Sequence, residues 1–175
     1  MTEDEKTLTG RERERDRGNA ADTGMFEAAE SDLPYLGDPG EVEAILRDFF
    51  LTVIGIRQRG GTSAITADDA FAQLEAACDR VAAIFYGKAD GYRAMPFNSY
   101  GGVGRFAKER TGIDEPLHRA LPVLLMASAV AIFEAHDAFV EDRITEDAAR
   151  FTVEAEIDGL SRIMLGLPSG EAPTS

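Results

Sequence analysis

Glu134, Asp137 and Glu141 stand at steps of three and four, so on a helix their carboxylates share one face. A second stretch, carrying Glu154 and Asp158, is expected to fold back beside them. Carboxylate oxygens converging between two helices suit a hard divalent cation. The plainer reading is a solvated acidic face near a helix end. Glu115 and His118 make one Glu-x-x-His pattern, the spacing of di-iron helical proteins. Such a centre needs the pattern twice and two further glutamates. Here it occurs once, at a helix start, so His118 reads as a surface or capping residue. No cofactor is expected, and a divalent cation is the one inorganic ligand the spacing admits.

Covalent chemistry finds less support. Cys78, the single cysteine, falls on an apolar helical stripe and reads as a small buried hydrophobe. The serines lie without a turn that would expose a nucleophile, so no Ser/His/Asp arrangement can be argued. Gly101, Gly102 and Gly104 precede an expected helix start, where free N–H groups can meet an anion. No Gly-Lys-Ser/Thr follows them, so a phosphate-binding P-loop is unsupported. The chain therefore reads as non-catalytic.

The stretch from Tyr86 to Gly104 interleaves Tyr86, Tyr92, Phe97 and Tyr100 with Arg93. Tyrosine and arginine are common interface anchors. Tyr92, Arg93, Phe97 and Tyr100 are accordingly the candidate interaction residues. The alternative is a crossover whose aromatics close one end of the helical body.

Four long helices must position these groups. The first is expected from Pro39 to Arg59, with Val42, Ile45, Leu46, Phe49, Phe50 and Val53 as a continuous stripe, and Gly60-Gly61 as its stop. The second opens after a Thr66 cap, with Phe71, Leu74, Cys78, Val81 and Phe85 on its core face, and ends at Gly87. A short helix follows over about Val103–Arg110. The third long helix is expected from Asp114 to Asp142, Pro116 in its first turn and Pro122 at a bend. It is apolar nearly all round and so should be central. The fourth starts at Thr145 and stops before Gly166, with Val153, Ile157, Leu160 and Met164 inward.

Ile65–Gly87 and Ile144–Gly166 align without a gap, and nine of the 23 aligned positions are identical. Both repeat Glu-Ala-x-x-Asp, as Glu75/Asp79 and Glu154/Asp158. Like charges four apart weaken an isolated helix, and arginines such as Arg80 or Arg162, or else a partner, could neutralise them. The echo extends weakly outward, with Val42, Ile45, Leu46 and Ile54 falling on Leu121, Leu124, Leu125 and Phe133. The pattern predicts an all-α fold: an antiparallel four-helix bundle, one hairpin used twice, with an extra short helix. Residues 1–38 read as a disordered arm, 39–167 as the bundle and 168–175 as a flexible tail. Arg11–Arg17 alternates Arg with Glu or Asp and cannot bury enough surface to offset its ordering entropy. Met25, Phe26, Leu33, Tyr35 and Leu36 form an apolar island able to strap onto the bundle.

Thirty-two acidic against 18 basic residues give the 175-residue chain a net charge of −14. Such a surface repels phosphate backbones and anionic membranes, so neither nucleic acid nor membrane is expected as a partner. Arg105–Leu121 vaguely resembles a helix-turn-helix. Its glycine is one residue late, and two acids and a proline open the second helix where base contacts belong. The run Leu121–Phe133 is too short to cross a bilayer, and the first residues carry no secretory apolar core. A cytoplasmic protein is expected. It would act through association with a protein partner or its own copies, as subunit, adaptor or regulator. The alternative is a helical enzyme or sensor holding a small molecule or metal inside the bundle.

Overall fold

Asp38 opens the first helix. Its carboxylate accepts the Gly40 N–H at 3.1 Å, and Pro39 takes the first helical position, where its missing donor costs nothing. This helix, α1, runs Pro39–Gly61. It is followed by α2 (Ala67–Phe85), α3 (Phe97–Thr111), α4 (Leu117–Val140) and α5 (Glu146–Met164). The computed structural model describes residues 35–87, 89, 91–95 and 97–167, except the side chains of residues 97, 98 and 117. The described residues form five helices and no strand, an all-α fold. The expected arm as far as residue 34 and the tail 168–175 lie outside them. Packing reaches ahead of α1, because Leu36 is fully buried.

α4 touches each of the other four helices. At 24 residues it is long and apolar enough, by length and composition, to cross a membrane. It outruns the apolar stretch Leu121–Phe133 because the helix continues through Glu134, His136 and Asp137. Among the remaining helices, α1 packs on α2 and α5, and α3 packs on α5. The core is built from Leu46, Phe50 and Val53 of α1, Cys78 and Phe85 of α2, Leu121 and Leu125 of α4, and Leu160 and Met164 of α5.

The sequence echo has a structural counterpart residue for residue. α2 and α5 are both 19 residues long and start after aligned threonines. Thr66 Oγ1 accepts the Asp69 N–H at 3.1 Å, and Thr145 Oγ1 accepts the Ala148 N–H at 3.2 Å. The turns before them match as well. Ser63 and Asp142, aligned in the same register, hold φ of 58° and 55°, uncommon for residues with a side chain. Ala64 donates to the Arg59 carbonyl at 2.9 Å, as aligned Arg143 donates to that of Ala138 at 2.8 Å. Gly87 and Gly166 close both helices at φ of 70° and 67°.

α3 departs from expectation. It begins at Phe97, so Gly101, Gly102 and Gly104 lie inside it rather than before it. Beyond the first four residues, helical amides are committed to carbonyls one turn back, which removes the expected anion-facing N–H groups. α4 likewise begins at Leu117, with Pro116 as its cap and Pro122 inside the helix. Phe71, expected in the core stripe of α2, is exposed.

Candidate functional site

Four of the five carboxylates singled out in the sequence are each met by an arginine. Arg57 of α1 grips Asp137 of α4 at two points, Nε to Oδ1 at 2.8 Å and Nη2 to Oδ2 at 2.7 Å. That grip holds the Asp137 carboxyl below the usual range, and His136 Nδ1 lies 3.4 Å from the same carboxylate. Glu141 pairs with Arg143 at 2.6 Å, and Glu134 is exposed. Glu154 accepts two bonds from Arg47, at 2.8 and 2.7 Å, and sits below its usual pKa for that reason. Asp158 is met by Arg162 at 3.0 Å, one of the arginines singled out as able to neutralise it. Among the described residues, no group of three or more His, Cys, Asp or Glu is placed to hold a metal ion. His118 is exposed, and Glu115 faces Arg119 at 3.7 Å.

The aromatic connection turns much of its surface inward. Gly87 starts it in a left-handed conformation that also keeps its backbone clear, since a Cβ there would stand 2.9 Å from the Ala94 nitrogen. The chain then curls back over the end of α2, with the Met95 N–H on the Phe85 carbonyl at 3.0 Å. The Tyr86 hydroxyl accepts the Leu121 N–H at 3.3 Å, beside the proline-interrupted part of α4. Tyr100 stacks on Tyr86, centroids 6.0 Å apart and planes 18° from parallel. Burial raises both phenols above their usual pKa. Tyr92 and Tyr100 pack against the core, Arg93 is half-buried, and Phe97 begins α3. Of the four candidate interaction residues, two thus contribute to closing the helical body. Cys78 is buried, and its thiol is pushed up to about 12, chiefly by that burial. It stays protonated at neutral pH and is a poor nucleophile.

Among the described residues, the two most exposed large hydrophobics lie on α1 and α5. Phe151 is 75% exposed and Leu51 69%. Leu51 shares a helix face with Arg47, four residues earlier, and Phe151 shares one with Glu154, three residues later. The Arg47–Glu154 bridge joins α1 to α5 about one turn from Leu51 and from Phe151. A depression of about 170 Å³ is lined by Ile54 of α1, Phe139 of α4, and Glu146, Arg150 and Val153 of α5. The sequence carried a signal for this face. Leu51 and Phe151 are large apolar residues that fit neither helix's core stripe. No protein-family model, curated protein or solved structure matches the chain.

Proposed function

We propose that this protein acts through protein–protein association, as a subunit, adaptor or regulator, and that the α1–α5 face is its contact surface. The carrying observation is the exposure of Phe151 and Leu51, each about one helical turn from the Arg47–Glu154 bridge. Exposed apolar side chains beside a satisfied ion pair combine the apolar and polar elements of which interfaces are built. The net charge of −14 favours a partner whose matching face is basic around an apolar centre, and disfavours nucleic acid and anionic membrane. The reading takes the four long helices as an antiparallel bundle of two duplicated hairpins. A cytoplasmic setting goes with it, supported by a single, buried cysteine.

Capture from the source lysate with tagged protein tests the proposal, comparing wild type with Leu51→Ser/Phe151→Ser and with Tyr92→Ala/Arg93→Ala. The expected result is a near-stoichiometric partner lost with the first pair and kept with the second. Retention with the first pair overturns the proposed surface. Light scattering on the purified chain separates a homo-oligomer from a foreign partner.

A small-molecule site is the second reading, favoured by a cleft of about 420 Å³ between α3 and α5. Phe106, Leu160 and Ile163 line it with the Arg110–Glu156 and Arg162–Asp158 pairs. Gly159 in its wall leaves open space, with nothing within 4 Å of a Cβ built there. Gly159→Leu would fill the cleft and abolish any ligand-induced thermal shift.

A further inference from the structure

We propose that α3 is a hinged cover that unwinds locally, well before the rest of the protein unfolds, and uncovers the surface of α4 and α5 beneath it. Three observations on this one element carry the inference, and each is independent of the α1–α5 face.

The first is its glycines. Gly101, Gly102 and Gly104 fall within one 15-residue helix. Glycine in a helix interior favours the unwound chain, because it has the most backbone freedom to regain. None of the three has a positive φ, so helical geometry does not require them. Packing does not require two of them either. A Cβ at Gly101 or Gly104 would meet nothing within 4 Å, and one at Gly102 would make ordinary contact with the Ile163 carbonyl at 3.9 Å.

The second is the interface below. Ser99 of α3 and Ser128 of α4 are both fully buried, and among the described residues neither hydroxyl has a hydrogen-bond partner. A buried hydroxyl without a partner is less favourable than the same group in water. Unwinding of α3 relieves that cost at Ser99. In the register of the echo, Ser128 and Ala129 of α4 take the places of Phe49 and Phe50 of α1. The α4 side of the pair thus has small residues where α1 carries two phenyl rings.

The third is the position of the ties. α3 is pinned near its C-terminal end, where Arg110 meets Glu156 at 2.9 and 2.7 Å with the glutamate largely buried. Lys108 reaches Asp114 at 2.9 Å just beyond. The glycines lie in the half away from these ion pairs, where the Tyr100–Tyr86 stack and buried Val103 are what hold α3 down. Unwinding therefore begins at the N-terminal half and hinges on Arg110.

Amide hydrogen exchange on the full chain, read by mass spectrometry under native conditions, tests this. The expected wild-type result is exchange of the α3 amides at least tenfold faster than the slowest amides of α1 and α4. Gly101→Ala/Gly104→Ala should slow α3 exchange by roughly 15-fold, as two helix-favouring replacements in open space, and leave α1 and α2 unchanged. Arg110→Gln should speed α3 exchange about tenfold, again selectively, as loss of a charged two-point contact. Exchange of α3 at the same rate as α4, or an α3 rate indifferent to the glycine replacements, overturns the proposal.

Discussion

Asp137 lies under a two-point grip from Arg57, and the grip sets how the protein meets acid. The carboxyl is held below its usual value in the folded state, so the unfolded chain takes up the proton first. Its stabilising share is complete above the unfolded value of about 4 and is lost as pH falls through the lower folded value. Both partners are about one-third exposed, which limits the share to roughly 1 kcal/mol or less. Urea midpoints measured from pH 7 down to pH 3 should fall on the acid side, and Arg57→Gln should flatten that part of the curve. Phe151 is the contrasting residue. Its ring is mostly in water, so Phe151→Ser should shift stability by no more than about 0.5 kcal/mol in urea unfolding while disabling association. The acids' spacing was legible in sequence, and so was Phe151's place off the stripe. The pairing of Asp137 with Arg57 was not, because a helical period says which face a group is on and not which helix meets that face.

At the scale of elements, caps and stops read well because they are local chemistry. Thr66 and Thr145 each satisfy a free amide at a helix start, and Thr66 also donates to Asp69 Oδ2 at 2.7 Å. Thr66→Ala and Thr145→Ala should each cost about 1 kcal/mol, the first slightly more, as measured by shifts of the urea midpoint. The matching turns at Ser63 and Asp142 explain why the two replacements should behave alike. α3 reads poorly for the opposite reason. Its glycines argue locally for a loop, yet they lie within the helix, and buried Val103 and Ala107 with the Arg110–Glu156 tie hold it on its neighbours. Tertiary packing outweighs propensity there, by a margin the exchange experiment measures. Phe71 is the converse case. Its spacing fits the α2 stripe, but it lies in the first turns of α2, near the edge of the packed body, and stays exposed.

For the whole molecule, the aligned leucines Leu46 and Leu125 test whether the two halves share one core. Both are fully buried, one in α1 and one in α4, and α1 packs directly on α4. Leu46→Ala and Leu125→Ala should each cost about 2–5 kcal/mol. Each should shift one common unfolding transition, followed by far-ultraviolet circular dichroism. Two separate transitions would show that the hairpins are held as independent units. α4 is the element both halves depend on. It contacts each of the other four helices, in keeping with its apolar character nearly all round.

Helix class, helix order, both threonine caps, the closing glycines and the repeat were determined by the sequence itself. Each rests on short-range forces, namely backbone capping, the glycine conformation and the 3.6-residue period, that act within a few residues of chain. Tertiary structure alone decided that the acidic groups would be divided among Arg47, Arg57, Arg143 and Arg162 rather than gathered. It also decided that Tyr92 and Tyr100 would pack inward, that α3 would absorb three glycines, and that Arg47 of α1 would meet Glu154 of α5. Those outcomes depend on which helix faces which. That choice is made by the total burial of all the helices together, a quantity no single segment contains.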